Sequence, residues 1–461
     1  MSFQSYTFLF LLLPVAVAGW WLLNWRGHGK LAQGFLLLVS LAFYGKARLA
    51  FLPILLGSIL FNFGVGKGLQ TFARCQKGLL ALGLLGNLGL LGYFKYANFF
   101  LENVNRVLGT SLGALTLLLP LGISFFTFQQ IAYLMDCYRG DKPNYTLLEY
   151  ACFVSFFPCV TSGPIAFHDE VIPQLRAANG HGPTAQTIAE GLWLFSLGMW
   201  KKVLLAQAFG GGADWGYNNI PALNSTTALA VVLSYTLQLY FDFSGYTDMA
   251  RGIGKMMGVT LPENFDVPYA SKSVTEFWRR WHMTLSGWFR EYVYIPLGGN
   301  RKGLKRQIFN LFVVELLTGI WHGADWNFIC WGLYYFILLA VEKLFLLKYL
   351  EKGKVWPHVY TLFLVVVGWA MFVGNDWGVG FNYLFYKLFV PAGGVSPVYF
   401  LRNYGVLLAV SVVCCTPLIE KVWDLLKKRT ATRVATVLVL LVLSTAYVVG
   451  STNSPFLYFN F

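Results

Sequence analysis

The chain has 461 residues, of which 56% are apolar, 18% aromatic and 12% charged. That charged share is about half of what a soluble domain carries, and the excess of 35 Lys plus Arg over 21 Asp plus Glu lies in short groups between apolar runs. Such scattering lacks the dense basic face that nucleic acid needs, and the composition excludes a soluble enzyme, a disulfide scaffold and a disordered chain. It specifies an all-α polytopic membrane protein.

Apolar runs occur at 6–23, 31–44, 49–65, 78–100, 113–135, 146–163, 186–208, 227–241, 307–321, 325–347, 358–374, 403–420 and 433–450. A bilayer span needs about 20 apolar residues. The runs 31–44, 227–241 and 307–321 are therefore read as re-entrant or broken helices, tolerated where protein or a wet cavity surrounds them. The expectation is about ten to twelve transmembrane helices in a single integral membrane domain covering 1–461. The first run is not a secretory signal, because Met1 to Tyr6 carry no positive charge. Arg26, His28 and Lys30 follow it, which predicts an N-terminus outside the membrane. Three later clusters repeat the signal: Lys67, Arg74 and Lys77; Arg301, Lys302, Lys305 and Arg306; Lys427, Lys428, Arg429 and Arg433. The last precedes the final run, so the C-terminus is also expected outside. The seven cysteines (Cys75, Cys137, Cys152, Cys159, Cys330, Cys414 and Cys415) include no CxxC pair, so neither a metal site nor a redox motif is expected.

Ionisable groups in membrane segments are costly and are functional candidates by default. The block Tyr240 to Arg251 carries Asp242 and Asp248 directly after an apolar run, and ion pairing with Arg251 or with the basic helix that follows is its simplest reading. In Glu276 to Tyr292, a helical pitch of about 100° per residue gathers Trp278, Trp281, His282, Leu285, Trp288, Phe289 and Tyr292 on one face. The pattern predicts one amphipathic helix at an interface or beneath a bundle, with His282 the titratable group on its apolar side. An aromatic-belt helix with an incidental histidine fits the same pattern. His322 ends an apolar run, between Trp321 and Gly323. A desolvated imidazole there stays neutral and able to take a proton; a histidine anchored to a carbonyl or to Glu315 is the structural alternative. His28, His181 and His358 sit in loops or at segment ends, and His168 follows Pro164 in a loop. No phosphate loop, HExxH or GxSxG occurs, which disfavours a nucleotide-driven pump or a metallohydrolase.

Four blocks then show a resemblance: Leu119 to Gln129; Phe157-Pro158 with Ser162-Gly163-Pro164; Tyr240 to Arg251; and Phe277 to Arg301, ending Ile295-Pro296-Leu297-Gly298-Gly299-Asn300. With Trp321-His322-Gly323, they make the chain resemble the membrane-bound O-acyltransferases (MBOAT), in the bacterial branch typified by alginate O-acetyltransferase. The resemblance implies helices around a central tunnel, His322 as the active-site histidine and His282 as the second. It also implies acetyl (or short acyl) transfer from a cytoplasmic thioester, acetyl-CoA, for O-acetylation of an extracytoplasmic polysaccharide through an SGNH-type acetyltransferase partner. No covalently bound cofactor and no nucleic acid enter this scheme, and the location implied is the bacterial cytoplasmic membrane. Trp321, Trp281, Gln129 and Asp242 are candidates to line the tunnel, with Trp321, Gln129 or His282 as donors to an oxyanion. Arg301, Lys302, Lys305 and Arg306 are candidates to meet the donor's phosphates. The segment Ile295 to Asn300 differs from the usual form in D-alanyl transporters for teichoic acid, which argues against a D-alanine cargo. The tail 455–461 is similar to a Phe-x-Tyr-x-x-Phe ending of this branch, which makes Tyr458 a candidate acyl relay. The competing readings are D-alanyl or other acyl transfer to a cell-wall polymer, and a non-catalytic channel or transporter subunit of an export complex. A transporter would show inverted repeats and paired broken helices, and neither is visible.

Overall fold

The computed structural model describes residues 2–373, 382–389 and 397–450. Within them the chain is helical, with one isolated antiparallel bridge between Phe265 and Trp281. It divides into two compact units, Met1–Phe195 with Tyr246–Glu263, and Ser196–Gly245 with Asn264–Phe461.

The helices in chain order begin with α1 (Leu13–Trp25), α2 (Gly29–Gly45), α3 (Leu52–Thr71), α4 (Gln76–Leu108), α5 (Ile123–Arg139), α6 (Leu147–Ser155) and α7 (His168–Ala177). They continue with α8 (Ala185–Trp200), α9 (Gln207–Asn218), α10 (Ser225–Met256), α11 (Val274–Arg280), α12 (Met283–Phe289), α13 (Leu304–His322) and α14 (Trp326–Val341). The remainder are α15 (Leu347–Leu350), α16 (Trp356–Phe372), α17 (Asn382–Phe389), α18 (Pro397–Cys414), α19 (Leu418–Lys428) and α20 (Thr430–Gly450).

Five stretches among the described residues are long and apolar enough to cross a bilayer: Phe8–Trp25, Leu49–Thr71, Ala73–Leu108, Trp326–Leu350 and Thr430–Val448. Leu401–Cys414 and Leu418–Lys428, bent by 86°, make a sixth if taken together, and Gly29–Gly45 and Trp356–Phe372 are shorter apolar helices. By length and composition the described residues thus hold fewer full spans than the ten to twelve expected, and more short helices. Two runs show why. In 113–135 the residues up to Pro120 are not helical, and the helix starts only at Ile123, after Pro120 and Gly122. Gly122 has φ +71 and lies so close to the Thr161 backbone that an added Cβ would meet it at 2.9 Å, a position open to glycine alone. The run 146–163 yields only the nine-residue α6, about 13 Å long, before the Pro158 to Gly163 turn.

In the first unit, Trp20 and Trp21 donate their indole N–H groups to the carbonyls of Met257 and Met256, at 2.9 and 2.7 Å. Phe3, Phe8, Phe43 and Phe157 are buried and pack ring against ring. Further along, Asn62 and Asn87 exchange amide hydrogen bonds of 3.1 and 2.6 Å, and Gln130 donates to Ser58 Oγ at 2.8 Å. Helix α6 opens on a reciprocal cap: Thr146 N–H donates to Glu149 Oε2 at 2.8 Å, and Glu149 N–H returns to Thr146 Oγ1 at 3.3 Å. Arg176 closes on the same carboxylate at 2.6 and 2.9 Å. In the second unit, Leu223, Ala228, Val231, Val232, Ala370 and Leu384 form an apolar cluster. A separate aromatic cluster surrounds the histidines.

Candidate active site

The segment expected to be one amphipathic helix is two short ones with a break at Trp281–His282. Helix α11 is started by Ser273, whose Oγ accepts from Glu276 N–H at 2.9 Å. The buried Glu342 carboxylate adds acceptors for Val274 N–H at 2.7 Å, Thr275 N–H at 2.8 Å and Thr275 Oγ1 at 2.7 Å. The helix stops because Trp281 is extended and His282 is left-handed, at φ +46 and ψ +53. A neighbouring strand-like segment supplies the hydrogen bonds the helix gives up. Asp266 N–H donates to Arg280 O and Met283 N–H to Asn264 O, both at 3.0 Å. Left-handed backbone is unfavourable for a non-glycine residue by roughly 1–2 kcal/mol, so this clamp holds His282 in a conformation it would not choose.

Asn264 also reaches the imidazole. Its Oδ1 lies 3.1 Å from Thr284 N, 2.9 Å from Thr284 Oγ1 and 3.1 Å from His282 Nδ1. His282 Nε2 is buried with no hydrogen-bond partner among the described residues. The ring meets Phe243 edge-on at 4.8 Å and Trp321 at 6.1 Å. It lies in a connection outside the membrane-spanning helices, and burial pushes its pKa down to about 3. The group is therefore neutral at physiological pH.

His322 is the last residue of α13 and is buried. Helices α13 and α14 approach closely because Gly319 and Gly332 face each other: a Cβ on either would meet the other's Cα at 3.3 Å. The imidazole then lies among the rings of Trp321 at 5.0 Å, Trp331 at 5.1 Å and Phe372 at 5.3 Å. Trp321 thus has ring contact with both histidines. Trp281 belongs to the same aromatic assembly, 4.8 Å from Trp369, which in turn lies 5.7 Å from Phe372.

The structure therefore brings His282, His322, Trp281 and Trp321 together. Asp242 is one residue from Phe243, but its carboxylate pairs with the buried ammonium of Lys202 and not with the basic residues expected from the sequence, Arg251 pairing instead with Asp248 and Glu263. Gln129 is buried in the first unit, where its amide donates to Ala166 O at 3.5 Å. Arg301, Lys302 and Lys305 are exposed, whereas Arg306 donates to Leu297 O at 2.8 Å and covers the Phe309 ring. Tyr458 lies outside the described residues. Among the described residues no group of three or more His, Cys, Asp or Glu side chains is arranged to hold a metal ion. Sequence reasoning missed Asn264, Lys202 and Glu342. Lys202 and Glu342 carried a signal, as ionisable residues in apolar runs. Asn264 carried none, being a neutral residue in a polar stretch.

Comparison with known proteins gives a consistent answer. The profile of the membrane-bound O-acyltransferase family matches residues 141–377. A peptidoglycan O-acetyltransferase of Helicobacter pylori is 43% identical over 371 residues, 74% of this chain and 70% of that protein. A Pseudomonas aeruginosa protein named "Probable alginate O-acetylase" is 42% identical over 386 residues, 81% of this chain and 72% of its own length. A teichoic acid D-alanyltransferase of Bacillus subtilis is more distant, 31% identical over 275 residues, 55% of this chain and 69% of that protein.

Proposed function

The chain belongs to the membrane-bound O-acyltransferase family and is a multi-pass membrane acyltransferase, and from that premise we propose that it carries acetyl groups from a cytoplasmic thioester to an extracytoplasmic polysaccharide. The observation that carries this reading is the burial of two neutral-capable imidazoles, His282 and His322, in one aromatic assembly through Trp321. Acetyl-CoA is the donor. Its thioester is already activated, so the protein has to position it, exclude water and take a proton from the incoming hydroxyl.

His322 takes that proton as general base, a role worth about 10²–10⁴ in rate, and His282 is the second imidazole of the centre. Trp331, Trp321 and Phe372 wall off water, so that confinement supplies much of the remaining acceleration. The hydroxyl oxygen forms its bond to the thioester carbon, the carbon–sulfur bond breaks, and the thiolate leaves with the proton held by the imidazole. The exposed Arg301, Lys302 and Lys305 attract the donor's phosphates at the cytoplasmic face. The acyl group leaves by way of Tyr458 to an SGNH-type acetyltransferase outside a bacterial cytoplasmic membrane, with both chain termini on that outer side.

The test is turnover of the full chain in lipid nanodiscs with radiolabelled acetyl-CoA. Wild type is expected to release CoA, and His322→Ala to lose roughly 10²–10⁴ of that rate. A His322→Ala protein that inserts normally and keeps wild-type CoA release overturns the reading.

A further inference from the structure

Around Asn264, three donors converge on one oxygen. The backbone N–H of Thr284 is an obligate donor, so the Asn264 side-chain atom 3.1 Å from it is the carbonyl oxygen and not the amide nitrogen. That oxygen can only accept. His282 Nδ1, 3.1 Å from the same atom, must therefore be the donor and carry the ring proton. In a neutral imidazole the other nitrogen is then bare, and it is Nε2 that lies buried without a partner among the described residues.

The backbone reinforces the assignment. Met283 N–H donates to Asn264 O, so the same asparagine holds the chain on the far side of His282 while its side chain holds the ring. Leu285 and Ser286 N–H close on His282 O at 3.0 and 3.1 Å and fix the start of α12. With φ at +46, the side chain leaves the backbone in a direction that a helical residue at 282 would not take. Phe243 and Trp321 limit the ring from two sides.

We propose that Asn264 is a positioning residue of the transfer reaction, locking His282 as the Nδ1–H tautomer so that its Nε2 serves the centre as a hydrogen-bond acceptor. On Nε2 the neutral ring then has no hydrogen to give an oxyanion, and its lone pair accepts a hydrogen bond from the substrate while His322 remains the base. This rests on the reading of His282 and His322 as the active centre. The titratable groups on the elements against the ring are few. Asp242 and Lys202 pair with each other, His322 adjoins Trp321, and Arg280 pairs with Asp266 and Glu276.

Two variants separate positioning from packing. Asn264→Asp keeps the acceptor oxygen and adds a negative charge beside Nδ1, whereas Asn264→Leu keeps bulk and removes the acceptor. With acetyl-CoA as probe, Asn264→Leu is expected to lower kcat roughly 10- to 100-fold, as loss of an orienting histidine partner does elsewhere, at nearly unchanged KM. Asn264→Asp is expected to retain most of kcat and to gain an acid limb in its pH–rate profile, because the carboxylate stabilises the imidazolium. A direct readout is 15N solid-state NMR of the histidine-labelled full chain in lipid, with His282 assigned by difference against His282→Gln. Wild type and Asn264→Asp should show a protonated Nδ1, and Asn264→Leu a mixture of tautomers. A wild-type Nε2–H ring overturns the proposal, as does an Asn264→Leu protein that inserts normally with wild-type kcat. If wild type releases no CoA, the acetyl-CoA reading fails, and the NMR spectrum alone decides the tautomer.

Discussion

Lys202 and Asp242 show how tightly this interior is constrained at the level of single residues. Both side chains are nearly inaccessible and face each other as an ion pair. Removing two charges from water is expensive, and their attraction offsets that cost only while both are present. Asp242→Asn leaves a buried ammonium without its counter-ion and is expected to destabilise the protein by about 3–5 kcal/mol. The double variant Lys202→Met with Asp242→Leu restores an apolar contact of similar volume and is expected to recover most of that loss. Thermal unfolding in detergent, followed for Lys202→Met, Asp242→Leu and the pair, checks the non-additivity. A catalytic Asp242 would give a different pattern: the stable double variant would have no CoA release at all. The same local reasoning narrows the oxyanion donors. A neutral His282 with its proton on Nδ1 drops out of the three candidates named by the sequence.

Two helix pairs decide where the histidines stand. Helix α11 has only seven residues, too few to be stable on its own, and its first turn depends on the Glu342 carboxylate from the adjacent span. On the other side, Gly319 lets α13 lie against α14 with backbone in contact. A leucine at 319 has no room, so Gly319→Leu is expected to push His322 away from Trp331 and abolish CoA release while the protein still inserts. Loss of tryptophan fluorescence change on donor binding, measured beside activity, would register the shift. Wild-type turnover in that variant would show that the close approach does not position His322. These dependencies also explain what was legible beforehand. The histidines stood out because so few ionisable groups enter the apolar chain. The break at Trp281–His282 did not show, because its aromatic residues happen to continue a helical period across it. The cause lies 18 residues earlier, in the pairing of Asn264 to Asp266 with Arg280 to Thr284, and no local pattern in either segment announces that pairing.

At the scale of the molecule, a charged fraction of 12% means that each buried or half-buried charge needs a partner of its own. Three arrangements among the described residues illustrate it: Lys202 with Asp242, the Glu342 carboxylate with the start of α11, and Glu149 with Arg176. The last pair lies outside the spanning helices and makes a pH-dependent contribution whose sign can be worked out. Arg176 hydrogen bonds, helped by the Thr146 cap, hold the Glu149 carboxyl at about 2, below its ordinary 4.5. A carboxyl depressed in the folded state stabilises the fold fully above its unfolded pKa and loses that contribution as pH falls through the folded value. The window is therefore pH 4.5 down to about 2, with no effect expected between pH 6 and 8. Because Arg176 is 43% exposed, solvent screens the pair and the contribution is on the order of 1 kcal/mol. Unfolding midpoints of wild type and Arg176→Ala are expected to differ at pH 7 and to converge as pH falls toward 3. Other carboxylates titrate in that range in both proteins, so only the difference between them reports on this pair. A gap that stays constant down to pH 3 would mean that Arg176 acts through packing on Tyr145, whose ring its guanidinium covers at 5.4 Å, and not through its charge.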